Sequence, residues 1–422
     1  MEGLERSNQF MKNKKLLANT FYLYVLTAVK MLFPLITLPY LTRVLTVESY
    51  GVVAYVKAYI SYVQLLLDFG FLLSATKDIA LQKENKNSVG HLTGNTIVEK
   101  ILLAILAGIV TLAASNIIPL LKQNQPFVWL YFISCALTIL IPDFLYRGIE
   151  RMEYAAIPFA CSKIAVIFLT FVLIKGDGDI LLIPCLEIVG NLLAGCISLL
   201  FLKKLGIKIR IDGVKVWIRD IKESAIYFFS NFATTFFGAL TILVVGIYMN
   251  KTDIAYWSIC MQIVSAAKAL YTPVANSLYP HMLVKKDLNL VRKIAVLFCF
   301  PLIIGVVAVL FFGEQIMTII GGTEYYYAGY ILKFLLPVLV VSFFSMLYGW
   351  PVLGAIGKVK ETTLSTIIAA VIQIVGIGIL LWINDLNLIS LAFCCGISEI
   401  ALLIIRLVIF NKNKSMFGNN EA

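Results

Sequence analysis

Apolar segments long enough to cross a bilayer follow one another along nearly the whole of this 422-residue chain. A transmembrane helix needs roughly 20 mostly apolar residues. Twelve such spans are read at 17–42, 50–75, 92–120, 127–147, 155–174, 180–202, 224–249, 254–280, 294–319, 326–355, 361–383 and 387–410. Polar breaks such as LTVES, KENKNS, KQNQP, KGDGD, NKTD and GKVKE separate them. Hydrophobic residues make up 60% of the chain and charged residues 14%. A soluble domain runs nearer 45–50% and 25%, and no single water-soluble core would hide that much apolar surface. The predicted class is all-α integral membrane.

Loop charge tests the count, because cytoplasmic loops are enriched in Lys and Arg. With the N-terminus placed in the cytoplasm, the inside segments hold 25 of the 35 basic residues. The outside loops hold only Arg43, Lys122, Lys175 and Lys251. Lys30, Lys57, Lys100, Lys163, Lys268 and Lys333 fall within spans. A bias that alternates loop by loop fails if one span is miscounted, so both termini are expected in the cytoplasm. The net charge of +11 is therefore topological, and with no soluble domain to carry it, nucleic-acid binding is excluded.

The most basic loop is residues 203–223, KKLGIKIRIDGVKVWIRDIKE, at the midpoint of the chain. Six spans precede it and six follow, as expected of two bundles related by a pseudo-two-fold along the membrane normal. The expected divisions are a tail at 1–15, a bundle at 16–202, a linker at 203–223, a second bundle at 224–410 and a tail at 411–422. Shifting the sequence by 204 sets Ala54, Ala58, Ser61 and Asp68 over Ser258, Gln262, Ser265 and Thr272. The linker could also dock partners or anionic headgroups. The N-terminus lacks a cleavable signal pattern, and Met11 offers a second start at MKNKK.

The first span gives the clearest functional signal. Thr20, Tyr24, Thr27, Lys30, Pro34 and Thr37 fall within an arc of roughly 140° on a helix. A lysine at that depth costs about 2.5–3.5 kcal/mol to insert, so this face implies a wet cavity that receives an anion. Tyr50, Ala54, Lys57, Ser61, Gln64 and Asp68 make a second stripe. Ser258, Gln262, Ser265, Lys268, Thr272 and Asn276 make a third. Lys30, Lys57 and Lys268 are the candidate anion ligands, and Thr27, Ser61, Gln64, Gln262, Ser265 and Asn276 the candidate polar lining. Small polar residues also pack helices against one another, which alone would explain the hydroxyls. Lys163 and Lys333 lie nearer span ends and are expected to snorkel to the interface.

Asp68, Asp143, Glu187 and Glu399 are the acids read at membrane depth. Asp68 precedes Phe69-Gly70 and Asp143 follows Pro142. Carboxylates at helix breaks are where coupling ions bind in transporters, which makes Asp68 and Asp143 candidates. Either could equally balance a lysine or cap a helix. The eight cysteines lie inside spans with no CxxC, and the two histidines are far apart, so neither metal nor cofactor is expected. No phosphate loop, HExxH or Ser/His/Asp set stands on a sizeable extramembrane domain, so no catalytic residues and no enzyme are expected.

Several short motifs resemble those of the polysaccharide-biosynthesis flippases. These are the Wzx-type O-antigen transporters of the multidrug/oligosaccharidyl-lipid/polysaccharide exporter superfamily. The resemblance rests on TLPYLTRVLTVESYG at Thr37–Gly51, on Asp68-Phe69-Gly70-Phe71 leading into Ser74–Ala80, and on Pro142–Met152. Leu278-Tyr279-Pro280 and Gly321–Tyr326 follow in order. Thr46-Val47 stands where the family usually has Gly-Pro, and Arg147 where it often has Gln. The resemblance implies an undecaprenyl-diphosphate-linked oligosaccharide, an O-antigen or capsule repeat unit, flipped by alternating access. It also implies work beside a polysaccharide polymerase and a chain-length regulator. Fixed positive charge would hold the diphosphate while the polyprenyl tail stays in membrane lipid. Rival readings are a multidrug or cation antiporter of the same fold, whose cavity should be acidic or aromatic, and a membrane glycosyltransferase or polymerase.

Overall fold

The computed structural model describes residues 2–417, apart from the side chains of 2–17, 230–238 and 276. Helices dominate, and the described residues contain no strand. The chain divides by its internal packing into two compact units, Met1–Ala239 and Leu240–Ala422.

The first unit opens with α1 (Glu2–Val44), which carries Pro34 and Pro39 inside it. The hydroxyls of Thr37 and Thr42 bond to the carbonyls of Phe33 and Leu38 around these prolines. Then come α2 (Val47–Asp68), α3 (Phe71–Leu81) and α4 (Lys86–Ile117). Next are α5 (Pro119–Gln123), α6 (Gln125–Leu137) and α7 (Asp143–Gly148). Finally α8 (Glu153–Leu173) and α9 (Leu182–Leu205) lead to α10 (Val214–Tyr248).

Two breaks matter for function. Between α2 and α3 the chain turns through Phe69 (φ 35°) and Gly70 (φ 79°). A Cβ on Gly70 would lie 2.6 Å from Tyr227 Cβ and 2.8 Å from the Phe228 nitrogen, so only glycine admits this crossing. Phe69 stacks on Phe228 at 4.5 Å, and the Ser74 and Ser224 hydroxyls bond at 2.7 Å. The second break runs from the turn at Thr138–Leu140 through Pro142 to Asp143. Phe71, Ile79, Phe144, Leu145 and Tyr146 bury beside both breaks in one apolar cluster. The Tyr146 hydroxyl donates to the Ser198 carbonyl at 2.6 Å.

The second unit holds α11 (Lys251–Lys285), α12 (Leu288–Gly321), α13 (Tyr326–Phe334) and α14 (Leu336–Leu347). A wider turn at Tyr348–Leu353 leads to α15 (Val359–Trp382) and α16 (Leu388–Lys412). α11 starts at an Asn250–Asp253 capping box and runs unbroken past Pro273 and Pro280.

Among the described residues, ten stretches are long and apolar enough to cross a membrane. They match ten of the expected spans, with ends shifted by up to about six residues except at 326–355, where the stretch starts at Leu336 because Tyr326–Phe334 is a separate short helix. The other two, 224–249 and 254–280, fall on α10 and α11, each 35 residues long. α11 is not among the ten. Its stripe of Ser258, Gln262, Ser265, Lys268 and Thr272 lowers its hydropathy despite ample length.

Candidate functional site

A cavity of about 240 Å³ opens in the first unit, walled by α1, α2, α4, α8, α9 and the Thr138–Asp143 break. It collects four charged side chains, Lys30, Asp68, Lys100 and Asp143. Gln64, Thr138 and Asn191 add polar groups. Each arrives for a local reason. Lys30 and Leu26 are one helical turn apart on α1 and share a face. Gln64 and Asp68 are spaced likewise on α2, and the Gln64 amide donates to Asp68 Oδ2 at 2.9 Å. The α6–α7 break turns Asp143 into the cavity.

The charges are not equivalent. Lys100, with 7% of its side chain exposed, donates to Asp68 Oδ1 at 3.0 Å. Asp68 is thus held by both an ammonium and an amide. Lys30 is exposed to the cavity with its ammonium 5.3 Å from the Phe159 ring centre. Among the described residues no carboxylate comes within ion-pair range of Lys30, and no side-chain donor reaches Asp143. Asn191 is held to Ser134 by bonds of 2.8 and 3.1 Å to its carbonyl and hydroxyl oxygens.

The remaining expected residues lie elsewhere. Lys57 is half-buried on α2, 5.8 Å from the Tyr131 ring and within electrostatic range of Glu187 and Lys163, outside the lining of this cavity. Lys268 belongs to the second unit and pairs with Glu399 at 2.6 Å. The hydroxyls of Thr27 and Ser61 bond back to Leu23 O and Ala58 O of their own helices. Gln262 donates to Ser258 Oγ at 3.4 Å, and Ser265 is exposed on α11. The Asn276 side chain lies outside the described residues.

Lys163 and Lys333 do not snorkel. Lys163 pairs with Glu187 at 2.5 Å with both side chains under 15% exposed, and Lys333 pairs with Glu314 at 2.7 Å. An acid within reach keeps the ammonium inside the protein and removes the reason to reach for water. Arg406, read from sequence as part of an inside segment, is also buried. It donates to Ser365 Oγ at 3.2 Å, Thr366 Oγ1 at 3.0 Å and the Ser345 carbonyl.

Sequence reading missed Lys100, Asn191, Thr138 and Glu314 as functional or pairing groups. Lys100 had a usable signal, since a lysine inside a span needs a partner and Asp68 was already in view.

Outside the spans, two carboxylates are tuned by their neighbours. The Asn95 amide bonds Asp212 at 2.8 Å and His91 lies beside it, which holds the Asp212 carboxyl below its usual range. Partial burial pushes Asp177 up, but the Thr46 hydroxyl and amide, at 2.6 and 2.8 Å, outweigh it and leave it lowered.

The family model described as polysaccharide biosynthesis protein matches residues 16–284. This chain belongs to that family. The chain is 25% identical over 366 residues to a protein of Escherichia coli (strain K12) named as a candidate O-antigen transporter, covering 84% of this chain and 88% of the relative. A Shigella dysenteriae protein of the same name is 25% identical over 368 residues, covering 84% and 90%. Two solved structures share the fold. One is an inward-facing multidrug resistance MATE family transporter of the MOP superfamily, with TM-score 0.68, 13% identity and coverage of 93% and 96%. The other is the lipid II flippase MurJ in an inward closed conformation, with TM-score 0.66, 16% identity and coverage of 94% and 87%. The chain is thus a helical membrane protein of that family, with a fold shared by these two structures.

Proposed function

We propose that this protein flips an undecaprenyl-diphosphate-linked oligosaccharide across the bacterial cytoplasmic membrane. Lys30 carries the reading, an ammonium in a polar cavity with no acid assigned to it. A permanent cation there is costly unless an anion visits. A diphosphate is such an anion, and Lys100 stands in the same cavity to meet it. Gln64, Thr138 and Asn191 offer amide and hydroxyl partners of the kind sugars need. Transporter-named relatives and a flippase among the fold neighbours support the same reading and a non-enzymatic role.

In this reading twelve helices span the membrane as two six-helix bundles, joined by the basic linker, with both termini cytoplasmic. Lys100 exchanges partners during the cycle. In the empty cavity Asp68 occupies it, and the incoming phosphate competes for the ammonium. Displaced Asp68, or Asp143, is then free to take a proton or cation, which links headgroup binding to ion movement. Lys57, with Glu187 in electrostatic range, and Lys268, paired with Glu399, are further candidate phosphate ligands, each within its own unit. A polymerase and a chain-length regulator would act beside it.

Replacing Lys30 by Gln should lower surface glycan about 10- to 100-fold, the range expected for losing a charge-assisted bond, while membrane insertion is unchanged. Lys30→Arg should retain a measurable part. Wild-type glycan in Lys30→Gln would remove the anion reading. Drug export of the MATE kind is the second reading, favoured by Asp143, a cavity carboxylate with no described donor. Drug resistance that depends on Asp143 but not on Lys30 would select it.

A further inference from the structure

The segment joining α9 to α10 is a fixed strap. Its backbone lies across the first turns of α4, where Gly90 and Gly94 leave room for the carbonyls of Lys208 and Arg210. The Arg210 amide donates to the Gly90 carbonyl at 3.2 Å. Asp212 is held at three points. Its amide bonds Asn95 Oδ1 at 2.9 Å, and its carboxylate meets the Asn95 amide and His91 Nδ1, each at 2.8 Å. Lys86 bonds the Leu205 carbonyl at 2.9 Å, and the Trp217 indole N–H reaches Asn95 Oδ1 at 3.4 Å.

This pinning sorts the side chains. Ile207 turns inward and is buried, and the Asp212 carboxylate is spent on α4. Outward go Lys208, Arg210, Lys215 and Arg219, interleaved with Ile209, Ile211, Val214 and Ile218 at 41–58% exposure. Water alone does not favour that mixture, because four branched apolar side chains gain nothing there. The membrane interface favours both halves of it.

Depth agrees. The outward apolar face of α4 begins at Ile101 and Leu102, and that of α9 ends at Leu199 and Leu200. At 1.5 Å per residue, Asn95 and Leu205 lie about 8–9 Å beyond those points. A headgroup layer adds about 5–7 Å to each side of the hydrocarbon. The strap therefore sits at the outer edge of the headgroup layer, where extended Lys and Arg side chains reach back to the phosphates.

We propose that residues 208–219 form a binding surface for anionic phospholipid headgroups of the adjacent leaflet, with the isoleucines and valine entering its edge. The surface is independent of the cavity and of the cargo. Arg219 is bonded to Asp220 at 3.0 Å, so the preference rests on Lys208, Arg210 and Lys215, which near a charged leaflet gain about 1 kcal/mol each, enough to enrich acidic lipid beside the strap.

Trp217 reports on this contact in the full-length protein. The chain is placed in nanodiscs of phosphatidylcholine with a minority of phosphatidylglycerol, with bromine on one lipid or the other. The Trp217 signal is the part of the emission that Trp217→Phe removes. Bromine on phosphatidylglycerol should quench it at least about twofold more per lipid than bromine on phosphatidylcholine, and high salt should erase the difference. Lys208→Gln/Arg210→Gln/Lys215→Gln should erase it as well. Gly94→Ala, which lifts the strap, should reduce quenching by both lipids. Equal quenching by both in the unaltered strap overturns the charge preference. Quenching by neither leaves the face to water or to a protein partner and overturns the proposal.

Discussion

α2 and α11 begin in the same way and end differently. Their capping residues, Thr46 and Asn250, stand 204 residues apart, the offset already visible in the polar stripes. Each helix carries small and polar residues down one face. At that offset Asp68, Phe69 and Gly70 correspond to Thr272, Pro273 and Val274. In the first unit the glycine takes φ 79°, the chain turns, and Asp68 faces Lys100 at the edge of a cavity. In the second unit valine disfavours that conformation, and α11 continues through Pro273 without ending. The lysine there, Lys268, meets Glu399 on α16 instead. One glycine decides whether a polar stripe becomes the wall of a cavity or a paired seam.

Exchanging that residue should have the largest effect. Gly70→Val combines a left-handed backbone with a collision against Tyr227 and Phe228, and should cost about 3 kcal/mol or more. Thermal unfolding of the purified protein measures it. The mirror change, Val274→Gly, should cost only about 1 kcal/mol. Similar losses for both would break the comparison.

The ion pair comes next. Lys268→Gln leaves Glu399 with the Ser345 hydroxyl at 3.3 Å and the more distant charge of Arg406, and should cost about 1–3 kcal/mol. Adding Glu399→Gln should recover much of it. Lys30→Gln should cost less, under about 1 kcal/mol, since it breaks no ion pair and gives up only the Phe159 ring contact. A double variant no more stable than Lys268→Gln would show that the pair is not what holds this seam.

A smaller effect is expected at Asp68. If it competes with a phosphate for Lys100, Asp68→Asn should tighten pyrophosphate binding about 3- to 10-fold in calorimetry. Unchanged affinity with wild-type stability would remove the exchange.

The smallest effect concerns the turns that start the two helices. Asp177 accepts from Thr46 at the head of α2, whereas Asp253 belongs to α11 itself. Since the folded state lowers the Asp177 carboxyl, its contribution is present above the ordinary Asp value, about 3.9, and fades as pH falls through the lowered one. Its exposure keeps that contribution under about 1 kcal/mol. Asp177→Asn should flatten the loss of melting temperature between neutral pH and pH about 3, and an unaltered slope would discount the Thr46 bonds.

Much of this was legible beforehand. Helical spacing alone put Gln64 and Asp68 on one face of α2 and gave α1 its cationic face with Lys30. The breaks at Phe69-Gly70 and Pro142-Asp143 could be read from turn chemistry. Partner choice could not. Lys100 lies 32 residues from Asp68 and Glu187 lies 24 from Lys163, and such pairings follow from which helices touch, not from any period along one of them. Arg406 is buried for the same kind of reason, by contacts with Ser365, Thr366 and Ser345 on other helices.

Phe159 has a further consequence. Its ring lies 5.3 Å from the Lys30 ammonium and 5.8 Å from that of Lys163, so one π-face serves two cations. Such a ring attracts either charge by about 0.5–2 kcal/mol. Pulling Lys30 away would leave the whole ring to Lys163 and tighten its hold beside Glu187. A guest at the first ammonium would thus be felt at the second through carbon alone, with no proton or water passing between them.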